Sequence, residues 1–586
     1  MIIKHELLKK QKRRSYNSSV EVDIYPYATE LFEELDKLGM IERMKTIPQL
    51  GVVKVSKKMQ KSRYDYIILQ LYYHQMIKKN LQNCLKYTYN NPVKEKEFFR
   101  EFDFCNNKVP SIGDLLQIMS IIYNIGHFAN TFTASRAALR LAKSSSDFRK
   151  NILDCFNEEE FEFLLDSVIE EENYHRFHLL NTMLVLQNCD SNKMSVKIAK
   201  ELICSYLMEK NLIENSKLHY VFNVFRAVRN VSYVSYDLQI ANTPLTIDVC
   251  DEKTLIPLFE QLLSEYNDNV SMQQLIGSLS KMLNDTVYNE LSNVICYYMI
   301  SRKIIYKVIN SNTWKEKNYY KDFFVDINSE FNRMYPQKRG FSTDGILKLT
   351  FNSSENITAN KLIDNIEHIN HLRIGYYDRF QGEKTIVISI SNSCNSKKDI
   401  AFKVLKVIIK HLREIEGITQ YDHRYLLTMK FFLHYLFGER RIIIKPTIDN
   451  KVCVLCSRGR LQRTKHVNDI LKNSVANDDM RHEAEHLLYS LNQDTVNDTT
   501  ITIPASIIVY DKEKRDLTFC EFDGMILFPM RKQKEVVFLE AKNSNETSRA
   551  NHCLCKKLSK LNLKYNKDEI EMHGQDAKLH ISLSDL

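Results

Sequence analysis

The sequence predicts a multidomain α+β protein with an all-helical N-terminal region, a small α/β middle region and a C-terminal α/β core. Three observations predict it. The chain has 586 residues, more than one ordinary hydrophobic core organises. From about Tyr25 to about Tyr335, apolar residues recur at three- and four-residue spacing, the period of a helix with one buried face. Beyond residue 340 that texture gives way to short alternating or continuous apolar runs, as strands require. The expected boundaries are 1–335, 336–420 and 421–586.

In the first region, segments 66–76, 115–123, 161–168 and 255–266 carry the helical pattern. Short turn signals such as Asn90-Asn91-Pro92 and Pro110–Gly113 separate the helices. In the second, residues 346–351 and 385–391 read as strands, and 398–414 is a strongly amphipathic helix. The third opens with an apolar helix at 425–436 and a strand at 441–445. A basic stretch with Arg458, Arg460, Arg463, Lys465 and His466 follows, then a helix around 478–491. Strand-like runs at 500–510, 517–528 and 535–541, a helix at 547–561 and a short strand near 579–583 complete it.

Composition narrows the classes. Hydrophobic residues make up 44% and charged residues 26%, a globular balance that argues against disorder. No run approaches the roughly 20 apolar residues of a spanning helix, and the charged N-terminus lacks the apolar core of a signal peptide. A cytoplasmic protein without membrane contact is expected. The 13 scattered cysteines read as reduced thiols rather than a disulfide framework. A formal charge of +9 suits a polyanionic partner without identifying one.

The chemistry-bearing residues lie on two of the strand-like runs. Cys520-Glu521-Phe522-Asp523-Gly524-Met525-Ile526 sets an acid within apolar surroundings. Val537-Phe538-Leu539-Glu540-Ala541-Lys542 sets a second acid and a lysine at a strand end. Residues two apart on a strand share a face, so Glu540 and Lys542 project together, and a hairpin would bring Asp523 beside them. Hard cations such as Mg²⁺ take a few carboxylate oxygens and fill the remaining positions with water and phosphate. The ordinary account of a strand ending in Glu-x-Lys is a solvated face. Against it, 536–539 is unbroken apolar, as a buried central strand should be.

These residues, followed by a helix, resemble the PD-(D/E)xK superfamily of restriction-endonuclease-like nucleases over roughly the last 110 residues. The resemblance implies an αβββαβ core that cleaves nucleic acid with Mg²⁺ or Mn²⁺. Asp523 and Glu540 would be the metal ligands and Lys542 the lysine that assists the attacking water. It also implies an acid on the preceding helix, where Arg481-His482-Glu483-Ala484-Glu485 offers two; Glu485 fits the spacing to later apolar residues and Glu483 is the alternative. The proline that gives the motif its first letter is absent here. Arg549, Lys556, Lys557 and Lys560 on the next helix, with Arg458, Arg460 and Arg463, are candidate phosphate contacts.

The N-terminal region carries a second resemblance. Gln49-Leu50-Gly51, Ser62-Arg63-Tyr64-Asp65-Tyr66, Ile121-Ile122-Tyr123-Asn124-Ile125-Gly126-His127 and Tyr236-Asp237 occur in the order found in HD-domain phosphohydrolases of the deoxynucleotide triphosphohydrolase branch. Yet Tyr66 stands for the first metal-binding histidine, and Tyr123 and Asn124 stand for the His-Asp pair; Asp237 alone matches the last aspartate. A phenol and an amide replace imidazole and carboxylate poorly around a divalent ion. The expectation is an HD-like scaffold without its metal centre, open to a nucleotide or protein activator. His74 and His127 read better as core or cleft histidines than as substitute ligands.

Weaker signals complete the reading. Cys453 and Cys456 with Cys553 and Cys555 make an atypical zinc pattern, and buried thiols are the better account. Trp314 lies among lysines and tyrosines, a mixture that stacks on bases or packs as a loop. The expected function is a Mg²⁺-dependent endonuclease acting on nucleic acid, DNA before RNA, with an inactive HD-like regulatory scaffold. That arrangement is associated with anti-phage defence, and a homo-oligomer is compatible with it. The competing readings are a nucleotide phosphohydrolase working through the HD-like region and a non-catalytic nucleic-acid-binding or assembly protein.

Overall fold

The computed structural model describes residues 1–11, 14–53, 61–94, 109–128, 130–155, 159–171, 173–207, 216–241, 243, 247–263, 270–311, 345–378, 382–419, 422–445, 455–456, 501–503, 505–514, 516–528, 535–541, 547–563, 570–573 and 576–582. The chain forms two compact units, Met1–Lys338 and Arg339–Leu586. The middle and C-terminal regions separated by sequence texture therefore share one unit. Helix and strand are mixed along the chain, as the α+β reading expects. Among the described residues no helix is long and apolar enough to cross a membrane.

The first unit is not all-helical. It opens with an antiparallel hairpin of β1 (Ile2–Gln11) and β2 (Arg14–Asp23), in register from Ile2↔Asp23 to Gln11↔Arg14. Leu7, Val20 and Val22 turn inward while Lys4 and Glu21 pair in solvent, the two-residue period of a sheet with one covered face. The helical texture begins only after it. Ser62 and Ser111 close capping boxes with Asp65 and Asp114 at the starts of the helices Arg63–Asn80 and Ile112–Ile125. Each box satisfies two backbone donors that a helix start leaves open. These two helices and Lys217–Ile240 pack against one another at the centre of the unit. Every residue of Ile112–Ile125 except Tyr123 is buried, so this helix is the hub.

Gly126 lets the hub end close against the helix Tyr174–Gln187. A Cβ there would meet the His178 carbonyl at 1.9 Å and the Thr182 amide nitrogen at 2.6 Å. Gly51, at φ +56°, permits a second approach, since its Cβ would lie 2.4 Å from Thr131 Oγ1.

The second unit begins with a three-stranded sheet in the order β3-β5-β4, from β3 (Ile346–Phe351), β4 (Leu372–Asp378) and β5 (Lys384–Ile390). Leu347, Leu349 and Phe351 alternate inward on β3, and the central β5 is buried from Thr385 on. The helices Asn356–Glu367 and Lys397–Leu412 pack on it, and His423–Leu436 packs on the latter and on β3. Arg424 locks that last helix by ion pairs to Asp422 at 2.6 Å and Glu355 at 2.7 Å.

The remaining strands are β6 (Ile442–Lys445), β7 (Leu455–Cys456), β8 (Ile501–Ile503), β9 (Ser506–Tyr510), β10 (Thr518–Phe522), β11 (Gly524–Phe528), β12 (Glu535–Ala541), β13 (Ile570–His573) and β14 (Asp576–Ser582). They form two antiparallel sheets, β10-β9-β6 and β13-β14-β12-β11-β8-β7. Two expected strands are thus each divided. The run at 500–510 becomes β8 and β9, and the run at 517–528 becomes β10 and β11, in each case with the halves in different sheets. The Asp523-Gly524 pair is a turn signal, and it ends one strand where an apolar reading continues it. After the helix Thr547–Lys560 two strands follow where one is expected.

Candidate active site

β11 and β12 form the hairpin that the spacing of Asp523 and Glu540 demands. Their register runs from Phe528↔Glu535 to Gly524↔Leu539. Asp523 immediately precedes the first paired residue of β11, and Glu540 immediately follows that residue's partner, Leu539. Asp523 occupies the break between β10 and β11, where the chain passes from one sheet to the other. It is half-buried. Glu540 lies inside β12, flanked by β11 on one side and paired with Ala577 of β14 on the other.

Glu540 is 1% exposed. Val536, Val537 and Phe538 before it are also buried, which gives β12 the two covered faces of a central strand. The Phe538 ring stacks on Phe522 at 4.4 Å, and Phe437, just past the helix His423–Leu436, stacks on Phe522 at 5.9 Å. A carboxylate in such apolar surroundings requires a counter-charge. Lys557 provides it: its ammonium donates to Glu540 Oε2 and to the carbonyl of Glu521, and lies 5.7 Å from the Phe522 ring centre. The helix Thr547–Lys560 holds this lysine by burying Leu554 and Leu558, and it packs on β12 and β14. Lys557 flanks that buried stripe, so its stem runs inward. Nearby, the Arg440 guanidinium and the Lys560 ammonium lie 4.1 Å and 5.7 Å from the Phe519 ring.

The donors here are hard oxygens. Among the described residues no three His, Cys, Asp or Glu side chains converge to cage a metal. Carboxylate oxygens such as those of Asp523 and Glu540 are donors that suit Mg²⁺ or Mn²⁺ rather than a closed zinc site. Cys553 and Cys555 are half-buried and form no disulfide among the described residues, while Cys453 lies outside the described residues.

Glu485, Glu483 and Lys542, and with them Arg458, Arg460, Arg463 and Trp314, also lie outside the described residues. Of the expected site, the described part comprises Asp523, Glu540 and the helix lysines. Sequence reasoning assigned Lys557 to phosphate contact and missed its pairing with Glu540. Its place beside Leu554 and Leu558 was the available signal, because a lysine flanking a buried stripe can reach inward.

In the first unit, Tyr66, Tyr123 and Asp237 share one neighbourhood. The Tyr66 hydroxyl donates to the Arg229 carbonyl at 3.2 Å, and the Arg229 guanidinium donates to the Tyr123 hydroxyl. Asn124 turns its amide back to the Ser120 carbonyl of its own helix, at 2.9 Å. Asp237, fully buried, accepts from Tyr288 at 2.6 Å and from Gln49 at 2.9 Å. Burial pushes its carboxyl up to about 6, and those two hydrogen bonds and the nearby Arg63 oppose the rise. His74 is a satisfied core histidine, bonded at 3.1 Å to both Tyr89 and Ser120, with burial pushing it down to about 3. His127 stacks on His178 at 4.2 Å.

The chain matches no protein-family model, no curated protein and no solved structure.

Proposed function

We propose that the second unit is a Mg²⁺- or Mn²⁺-dependent nuclease that hydrolyses phosphodiester bonds, in DNA before RNA. The carboxylate pair supports this reading: Asp523 adjoins the start of β11 and Glu540 the end of the paired part of β12, and Glu540 is buried with the Lys557 ammonium against it. Enclosing a carboxylate there costs stability even with a counter-charge beside it, a cost that a functional role accounts for. Asp523 and Glu540 hold the cation. When bound, it lowers the pKa of its water and polarises the scissile phosphate. Lys557 fixes the Glu540 carboxylate through Oε2. Lys542 orients the attacking water, and Glu485 or Glu483 adds the helix carboxylate. Arg440, Lys556 and Lys560 offer positive charge to the nucleic-acid backbone, which positions the strand without reading its sequence. The first unit is an HD-like regulatory scaffold without metal ligands, and anti-phage defence is the role such an arrangement suits by association.

The test is cleavage of supercoiled DNA, linear DNA and single-stranded RNA by the wild type and Glu540→Ala, with Mg²⁺ or Mn²⁺ and with chelator. Metal-dependent cutting that disappears in the variant is the expected outcome, and the substrate that is cut names the class. Equal cutting by both proteins would remove the proposal.

A further inference from the structure

Beside the carboxylate pair, β10 carries an aromatic side chain that the nuclease reading leaves unused. A register shift between Thr518 and Cys520 makes Phe519 an extra residue against β9, and β10 is an edge strand of its sheet. Bulges at sheet edges re-aim a side chain and gather next to active sites. Here Cys520 and Phe522 are buried, whereas Phe519 is half-buried and Leu517 is 55% exposed.

A lone exposed apolar residue is ordinary; this ring comes with cations. The Arg440 guanidinium lies over it at 4.1 Å and the Lys560 ammonium at 5.7 Å. Neither enters an ion pair among the described residues. Lys556, on the same helix as Lys560, is exposed. Among the acids of this stretch, Asp516 lies 3.9 Å from Arg441, and the Glu521 carboxylate accepts from the Ser506 hydroxyl. The patch is also tied to the carboxylate pair. Lys557 and Lys560, one turn apart on the helix Thr547–Lys560, lie against Phe522 and Phe519 in turn. That helix therefore runs alongside β10, and Phe519 stands about 10 Å along the strand from Phe522, a few nucleotides at most from Glu540.

We propose that Phe519 and Arg440, with Lys560 beside them, form a stacking platform for an unpaired base, so that the second unit engages a single-stranded segment of nucleic acid next to the carboxylates. An aromatic ring among cations accepts any base through its π-face, while the cations meet the phosphates. A base inside a duplex is already stacked and paired, and a duplex reaches only the cations. The inference rests on the nuclease reading for its class of partner and adds the strandedness of that partner.

The experiment uses the full chain in chelator, so that binding is read without cleavage. Fluorescence anisotropy compares labelled oligothymidylate, oligouridylate, an abasic strand of the same length and charge, and a blunt duplex. The wild type should hold a strand with bases about fivefold or more tighter than the abasic strand, the scale of one stacked base. A larger margin for oligothymidylate names DNA and for oligouridylate RNA, and either supports the platform. Phe519→Ala should lose the margin while its duplex and abasic affinities stay at the wild-type level, and Phe519→Tyr should keep it. Lys560→Gln should weaken every probe and lower the salt slope by about one. Equal binding of based and abasic strands by the wild type overturns the proposal, as does a margin that survives in Phe519→Ala. Metal-dependent cutting is a separate readout: its absence with the margin intact removes the nuclease reading alone.

Discussion

Two buried acids show how differently a residue can be neutralised. Glu540 has an ammonium against it, whereas Asp237 has only hydrogen bonds and a more distant guanidinium. The folded carboxyl of Asp237 titrates at about 6 against an ordinary value of 3.8. Between those values the unfolded chain has already lost its proton and the folded chain retains it. Stability therefore falls as pH rises through that window, by about 3 kcal/mol in all. Asp237→Asn should remove this cost, since the free Oε1 of Gln49 can accept from the new amide once Gln49 turns over. Urea unfolding should show the variant more stable than wild type at neutral pH and level with it in acid. At Lys557 the expectation is reversed. Lys557→Ala leaves the Glu540 carboxylate without its ammonium and should cost about 3 kcal/mol, near the low end for a buried pair because the lysine is partly exposed. Added Mg²⁺ should restore part of that loss in a thermal melt, while a purely structural pair would gain nothing from the metal.

Helices and strands meet here through glycine and register. Gly126→Ala would drive a methyl into the His178 carbonyl, and neither backbone can yield without parting two buried helices. The loss should reach about 3 kcal/mol or more. Gly51→Ala faces a left-handed φ and a threonine hydroxyl, so a loss of about 1–2 kcal/mol is expected. Circular dichroism melts of both variants would order them. The sequence made the buried strands legible wherever apolar residues were unbroken, as on β5 and β12. It concealed the division at Asp523, because Phe522 and Met525 on either side are both core residues and hide the turn between them. It also concealed the first hairpin, whose inward residues Leu7, Val20 and Val22 are spread thinly among lysines and serines.

For the whole molecule, a net charge of +9 has a measurable consequence if the nuclease reading holds. Engaging six phosphates would cost about 10³-fold in affinity between about 50 and 200 mM salt, and filter binding of a labelled duplex to Glu540→Ala would give the slope. Salt-independent binding would exclude a backbone-tracking surface. The two-unit division follows a change in texture that the sequence displays near residue 340. The pairing of Lys557 with Glu540 was not legible, because it depends on where a helix comes to rest against a strand. A lysine on a helix reads as solvated until the neighbouring strand is known.

The ladder between β11 and β12 also sets what insertions the chain can tolerate. Inserting one residue in β12 ahead of Glu540 would turn its carboxylate to the opposite face of the sheet. Inserting two would restore the face but move the carboxylate a full pleat away from Asp523. The hairpin thus acts as a reading frame for the two acids, in which strand length matters as much as the residues themselves.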